Sequence, residues 1–206
     1  MKLITVNVSD MDVNTYLIES EKTALIIDPG VMCEEIEKFI KDNEGKEIAI
    51  LLTHNHFDHI GGADLARKLS NGKIYIHVAD ATGLSNPEIN LSSRFGLALE
   101  PFEADVAFKE NESLNFTDFT VKTMLTPGHS EGSVCYIIDD FMFSGDTLFR
   151  MNVGRTDFIF GSRTKQIESL KKLSLLDEDF EVYPGHGPAT RLSFEKEYNP
   201  YIKEIK

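Results

Sequence analysis

Three histidines and an aspartate fall within six consecutive positions of the segment LLTHNHFDHIGG, residues 51–62. They are His54, His56, Asp58 and His59, and they end an apolar run, EIAILLT, that predicts a buried strand. Such side chains destabilise one another when they are crowded together, unless they share a cation. His54 and His56 point to the same side of an extended chain, whereas Asp58 and His59 follow where the chain turns. One loop can therefore supply ligands to two adjacent metal ions, and imidazole and carboxylate suit borderline ions such as zinc and iron.

Three further predicted strands end in a histidine or an aspartate beside glycine. The segments TPGHS, FSGDT and YPGHG supply His129, Asp146 and His186. Each segment alone is typical of a turn or a helix N-cap, but their combination with the first motif makes these residues candidate metal ligands. Strand ends at one sheet edge meet in space, and glycine permits close backbone approach, so we expect the candidates to converge. His77 lies outside these motifs, within the strand KIYIHV, and we expect a neighbouring residue to satisfy it.

Strands alternate with amphipathic helices in both halves of the chain, which predicts an α/β protein of two layered sheets with helices outside. The predicted helices are CEEIEKFIKDN, GADLARKLSNG, TKQIESLKKLSLL and SFEKEYNPYIKEI. Residues 79–101 read as a long irregular connection that lies over another part of the molecule. No linker interrupts the pattern, so we expect one domain over residues 1–206.

Composition narrows the partners. There are 21 Lys plus Arg against 34 Asp plus Glu, and the net charge of −13 argues against nucleic acid or an anionic membrane surface. Two cysteines make no disulfide framework and fit a reducing compartment. The sequence shows no signal peptide and no apolar run of membrane-spanning length. We therefore expect a soluble cytoplasmic protein that acts on a small molecule, and the sequence leaves its oligomeric state open.

The order H-x-H-x-D-H, histidine, aspartate, histidine resembles the metallo-β-lactamase superfamily. The resemblance runs from IIDPG near the start to GHGPATRLSFEKEYNPYI near the end. It implies a four-layer αβ/βα sandwich of two mixed sheets, with two divalent metal ions at the sheet edge between the halves. The ions would be zinc, with iron or manganese as alternatives. By this resemblance one ion is held by three histidines, the other by one aspartate and two histidines, and a second aspartate bridges both: His54, His56 and His129; Asp58, His59 and His186; Asp146.

Within the superfamily, FSGDTLFRMNVGRTDF and YPGHGPATRLSFEKEYNP resemble the short bacterial members of the glyoxalase II group, the hydroxyacylglutathione hydrolases. True β-lactamases usually lack the bridging aspartate and place a cysteine at one metal, and flavo-diiron proteins carry glutamate at the position of His56. The resemblance implies thioester hydrolysis by a hydroxide that two cations generate from a bridging water, with Asp58 and Asp146 as catalytic residues. Full-length members hold glutathione with a C-terminal helical domain. This chain ends about one helix after GHGP, so we expect weak glutathione recognition.

Two other reactions remain open at this point. The first is that of a mononuclear-iron persulfide dioxygenase, whose relatives also carry a stretch like GRTDF, and the second is hydrolysis of another ester, lactone or phosphoester. The number of bound metals separates the dioxygenase from the thioesterase. Arg155 is a candidate contact for a substrate carboxylate, and a surface ion pair with Asp157 is an equally weighted alternative.

Overall fold

The computed structural model describes residues 1–7, 12–109 and 112–205. The strands in these ranges are Lys2–Asn7 (β1), Asn14–Glu19 (β2), Thr23–Ile27 (β3), Glu47–Leu51 (β4), Lys73–His77 (β5), Val106–Phe108 (β6), Ser113–Asn115 (β7), Thr120–Leu125 (β8), Val134–Ile138 (β9), Phe141–Gly145 (β10), Leu148–Phe149 (β11), Asn152–Val153 (β12), Glu181–Pro184 (β13) and Thr190–Arg191 (β14). The α-helices are Glu34–Asp42 (α1), Phe57–Ile60 (α2), Ala63–Ser70 (α3), Arg163–Ser174 (α4), Leu192–Tyr198 (α5) and Pro200–Lys203 (α6). Short 3-10 helices span Ala81–Ser85 and Ser92–Phe95.

The strands form two six-stranded mixed sheets and one small hairpin. The first sheet has the order β1-β2-β3-β4-β5-β6, antiparallel from β1 to β3 and parallel from β3 to β6. The second has the order β14-β13-β10-β9-β8-β7, in which only the β10–β13 pair is parallel. Strands β11 and β12 form the hairpin that follows β10.

Alternation along the central strands divides the core into three apolar layers. In β4, Ile48 and Ile50 face the layer beneath α1 and α3, whereas Ala49 and Leu51 face the second sheet. The same alternation in β9 sends Ile137 toward α4, α5 and α6. A strand buried on both faces must be apolar throughout, which explains the continuous apolar runs in the sequence. The predicted four-layer αβ/βα sandwich with helices outside is therefore confirmed.

The C-terminal segment differs from its prediction as one helix. It forms two helices, because Pro200 cannot continue α5 and forces the residue before it out of helical geometry. Asn199 accordingly has φ −64° and ψ 121°, and its side chain accepts a hydrogen bond from the Tyr201 backbone N–H at 3.0 Å. The sequence patterns also missed the two- and three-residue strands, which are too short to show a period.

The connection 79–101 lies over the histidine loop, as expected. The Phe57 backbone N–H donates to the Asn90 carbonyl at 2.9 Å, and the Asn55 amide donates to the Asp80 carbonyl at 3.2 Å. This connection therefore forms part of the surroundings of the candidate ligands. Within the described ranges, no helix is long and apolar enough to cross a membrane.

Candidate metal centre

The seven predicted ligands lie together where strands of both sheets end at one edge. The histidine loop follows β4, and the other three segments follow β8, β10 and β13. The side chains brought together are those of His54, His56, Asp58, His59, His129, Asp146 and His186. The convergence expected from the strand-end positions is thus observed.

The first set comprises His54, His56 and His129. Their potential ligand atoms all lie within 4.8 Å of one another, and all three residues are buried. The ring centroids are 4.7 Å apart for His54 and His56, and 4.5 Å apart for His56 and His129. Three imidazoles at this spacing could hold a metal ion.

The second set comprises Asp58, His59 and His186, and its ligand atoms also lie within 4.8 Å of one another. The Oδ2 atom of Asp58 is 3.5 Å from Nε2 of His186 and 3.9 Å from Nε2 of His59. His59 is fully buried, whereas the His186 side chain is 26% exposed. The second set is therefore the one that solvent and small molecules reach more easily.

Asp146 lies between the two sets and contacts both. Its Oδ1 atom is 3.4 Å from Nε2 of His59, and its Oδ2 atom is 3.3 Å from Nε2 of His129. Oδ2 is also 3.6 Å from Nε2 of His186. One carboxylate therefore faces histidines of both sets.

Three of the histidines are held in orientation by hydrogen bonds from their Nδ1 atoms to residues outside the cluster. His59 donates to Asp28 Oδ2 at 2.9 Å, His129 to the Arg155 carbonyl at 2.8 Å, and His186 to the Asp12 carbonyl at 3.1 Å. Because a proton is held on Nδ1, Nε2 is the atom left to bind a metal ion, and Nε2 is the atom that points into the cluster.

Several inward-facing atoms lack a partner. In the part of the chain that the structure describes, Nε2 of His54, His59 and His129 and Oδ1 of Asp146 are buried without a hydrogen bond. A buried polar atom without a partner costs about 1–3 kcal/mol, so several at one point require another explanation. Imidazole nitrogens and a carboxylate oxygen are the donors that zinc and iron use, so the residues present fit a divalent cation.

The protonation states of the first set also suit metal binding. Burial lowers the pKa of His56 to about 3, and burial likewise holds the pKa of His54 and His129 below the usual value. The neutral imidazole that binds a metal is thus the stable form of these three residues.

In the second set, neighbouring carboxylates outweigh the lowering of histidine pKa values by burial. Burial disfavours the charged form of His59, but Asp146, Asp58 and Asp28 outweigh it and raise the pKa of His59 well above its usual value. Burial likewise acts to lower the pKa of His186, and the hydrogen bond to Asp58 raises it. Burial would raise the pKa of Asp146, yet the neighbouring histidines hold it well below its usual value. Asp146 is therefore ionised at neutral pH, and His59 and His186 keep a second proton to a higher pH than free imidazoles when no metal is bound.

Asp28 contacts the cluster, and the sequence motifs did not indicate it. It follows β3, has φ 50°, and is 2% exposed. Its Oδ1 accepts from the Thr53 N–H at 2.7 Å, and its Oδ2 accepts from the Thr53 hydroxyl at 2.6 Å besides His59. The Thr53 hydroxyl lies 3.1 Å from Nδ1 of His54, so Asp28 supports one histidine of each set. A signal existed in IIDPG, where an acidic residue ends an apolar strand beside Pro-Gly, as in the ligand segments.

Asp80 is a second such residue, and it joins the two halves of the molecule. Its buried carboxylate accepts hydrogen bonds from the Asn55 N–H at 3.1 Å, the Gly132 N–H at 2.7 Å and the Ser130 hydroxyl at 2.6 Å. Asn55 separates His54 from His56, and Ser130 follows His129. Asp80 therefore fixes the two loops that carry the first set, and no spacing in the sequence indicated it.

Gly185 shows why glycine borders these ligands. A Cβ atom at this position would lie 2.3 Å from Oδ1 of Asp146 and 2.6 Å from Cε1 of His59. Only glycine leaves room for the cluster here.

Arg155 forms the surface ion pair with Asp157 that was the alternative to a contact with substrate. Its guanidinium donates to both carboxylate oxygens of Asp157 at 2.7 Å and lies over the Phe158 ring, 4.2 Å from the centroid. Both charged side chains are exposed. Arg155 nevertheless lines a cavity of about 340 Å³ beside the cluster, so its contact with a substrate carboxylate stays a prediction.

Comparison with known proteins places the fold in a family. The model of the metallo-beta-lactamase superfamily matches residues 8–186. The "Probable metallo-hydrolase YqgX" of Bacillus subtilis (strain 168) is 36% identical over 206 residues, covering 98% of each chain. The "Hydroxyacylglutathione hydrolase GloC" of Haemophilus influenzae (strain ATCC 51907 / DSM 11121 / KW20 / Rd) is 32% identical, again covering 98% of each chain.

Two solved structures are similar over nearly the whole chain. BLEG-1, a B3 metallo-beta-lactamase, superposes with a TM-score of 0.90 at 35% identity, covering 98% of this chain and 99% of that one. TTHA1623 in a di-iron-bound form superposes with a TM-score of 0.82 at 33% identity, covering 96% and 99%. The family match, the fold and the converging histidines and aspartates agree: the chain belongs to the metallo-β-lactamase superfamily.

Proposed function

We propose that this protein is a dinuclear metal-dependent hydrolase of thioesters, of the hydroxyacylglutathione hydrolase type. The observation that carries the proposal is Asp146, whose two carboxylate oxygens face histidines of both ligand sets. All seven positions carry side chains able to bind a metal, so neither set is incomplete. The similarity to GloC over 98% of both chains supports the thioester assignment.

The first set would hold one ion and the second set the other, with Asp146 shared between them. Zinc suits these donors, and iron is the alternative because the similar TTHA1623 binds two iron ions. When bound, two such cations supply hydroxide at neutral pH and polarise a carbonyl group.

The chain's own residues would orient the reactants. Burial acts to raise the pKa of Asp58, but His59 and His186 lower it, so this carboxylate is ionised at neutral pH. Its Oδ2 atom lies 3.5 Å from Nε2 of His186, the more exposed histidine of the second set, and could accept a hydrogen bond from an attacking water. Asp146 is buried and ionised, and it holds the two sets at a common centre.

The test combines metal analysis with a substrate panel. We expect protein purified without chelator to contain two equivalents of metal and to hydrolyse S-lactoylglutathione with a high KM. Among the described lining residues, Arg155 is the lysine or arginine that could bind a glutathione carboxylate, and it is paired with Asp157. Lost ground-state binding raises KM without lowering kcat. Nitrocefin belongs in the panel because BLEG-1 is a β-lactamase. Fully metallated protein that hydrolyses nitrocefin and no thioester would refute the proposal.

The persulfide dioxygenase reaction is the second candidate. It requires a single iron with open coordination positions, whereas the second set here is complete. One equivalent of iron, no second binding step on metal addition, and oxygen consumption with glutathione persulfide would establish it instead.

A further inference from the structure

The cavity beside the metal centre has an apolar wall. Six side chains form this wall, from α2, the connection 79–101, the β11–β12 hairpin and the loop after it: Phe57, Leu91, Phe95, Phe149, Val153 and Phe158. None of the six has a polar group that could bind a substrate.

The aromatic members of the wall lie directly against the metal-binding side chains. The Phe158 ring centroid is 5.4 Å from that of His56 and 6.0 Å from that of His129. On the other side, the Phe149 ring is 5.9 Å from His186. A substrate whose reacting carbonyl reaches both sets must therefore place its neighbouring atoms against these rings.

The connection 79–101 completes the wall at an energetic cost. Leu91 has φ 69°, which is unfavourable for a branched side chain, and it is 2% exposed. Asn90 holds the segment, because its carbonyl accepts from the Phe57 N–H and its Oδ1 accepts from the Ser92 N–H at 3.0 Å. Phe95 packs on Phe57 with centroids 4.8 Å apart, yet it remains 52% exposed.

Charged groups contribute little to this wall. Among the described lining residues, Arg155 is the charged side chain that does not belong to the ligand cluster, and Asp157 neutralises it through two hydrogen bonds. An anionic group of the substrate would thus find no unpaired cationic side chain on the described part of this wall, whereas an apolar group would be removed from water.

We propose that the site selects thioesters with an apolar acyl group, an aliphatic chain of several carbons. This inference rests on the proposed thioester hydrolysis, and it replaces the hydroxyacyl group of the hydroxyacylglutathione type by an apolar acyl group. The acyl half is the half assigned to the cavity because thiols that carry acyl groups in cells are polar and extended. The cavity has a volume of about 340 Å³ and an apolar wall, so it suits an aliphatic chain better than such a thiol.

Acyl-chain length gives a direct test. The metal-loaded full chain is assayed with the acetyl, butyryl and hexanoyl thioesters of one thiol, N-acetylcysteamine. Burial of each methylene should raise kcat/KM by about fourfold until the cavity is filled. A flat series with measurable hydrolysis would overturn the apolar-acyl inference and leave the thioesterase assignment standing. If metal-loaded protein hydrolyses no thioester, the thioesterase assignment itself fails.

Variants of the wall locate the effect. Phe95→Ala should lower the ratio of hexanoyl to acetyl kcat/KM several-fold, and Phe158→Ala should do the same from the other side. Leu175→Ala is the matched control, because Leu175 is an apolar side chain that is 79% exposed at the end of α4. Circular dichroism and metal content confirm that each variant folds and binds metal. Wild-type ratios in both wall variants, or an equal loss in the control, would contradict the assignment.

Discussion

Replacing Asp28 by asparagine should weaken metal binding at both ligand sets without unfolding the protein. Asparagine tolerates φ 50° much as aspartate does, so the backbone can stay in place. If the amide oxygen keeps the Thr53 N–H, the amide NH₂ group faces two other donors, the Thr53 hydroxyl and Nδ1 of His59. His59 can relieve the clash only by giving up its Nδ1 proton and keeping a proton on Nε2, the atom that faces Asp146.

The size of the effect follows from the role of such supporting contacts. Loss of one outer partner of a ligating histidine lowers metal affinity about 10- to 100-fold, or about 1.4–2.8 kcal/mol. The second set should show the larger loss, because His59 contacts Asp28 directly. His54 contacts Asp28 only indirectly, through the Thr53 hydroxyl, so the metal affinity of the first set should fall less.

Competition between the metal-free protein and a chromophoric chelator for zinc gives both affinities. Asp118→Asn is the matched control, because the Asp118 carboxylate also accepts from one hydroxyl and one backbone N–H, those of Ser20 and Lys22. Asp118 is exposed, and its hydrogen-bond partners Ser20, Lys22 and Thr23 lie outside every ligand segment. Affinities in Asp28→Asn within about twofold of the wild type, with an unchanged fold, would refute the idea that Asp28 sets the tautomer of His59.

Three further outcomes are expected. Asp146→Asn should lose turnover more completely than bound metal, because the neutral amide no longer supplies the negative charge shared by the two ligand sets. Near wild-type activity in kinetic assays would contradict the dinuclear mechanism. His77→Gln should keep full metal content by mass spectrometry, since His77 accepts from the Ala79 N–H at 3.3 Å and packs on Phe108 away from the cluster; a lost equivalent would overturn this. Burial raises the pKa of Asp80 from 3.8 to about 6, so between these pH values the folded protein holds a proton that the unfolded chain has lost. The free energy of unfolding of the metal-free wild type should therefore fall as the pH rises from 4 to 6. Denaturant titrations should show the wild type losing stability relative to Asp80→Asn over that range, by at most about 1.4 kcal/mol per pH unit; an opposite slope would show that the three donors dominate.

The convergence of the seven candidate ligands could be predicted from the sequence because each candidate lies in a local pattern at the end of a strand. The histidine loop directly follows the apolar strand β4, and a histidine or aspartate preceded by glycine stands just after β8, β10 and β13. The supporting residues are less visible. Asp80 acts only because the chain folds Ser130 and Gly132 against it, and a contact across about 50 residues leaves no period in the sequence. The apolar wall could not be predicted from the sequence for the same reason, since Phe95 and Phe158 become neighbours of the cluster only in three dimensions.

The distribution of ligands between the sheets links metal binding to the fold itself. The loop after β4 supplies residues to both sets, but the first set also needs His129 and the second needs His186, which follow strands of the other sheet. Neither set can form within one half of the chain, and Asp146 adds a contact from the second half to both. A cation bound by either set would therefore join the two sheets, and it would stabilise the folded state over the unfolded chain in proportion to its affinity. Without a cation, the buried and unpartnered nitrogens of His54, His59 and His129 lie at this junction, where their desolvation opposes its closure.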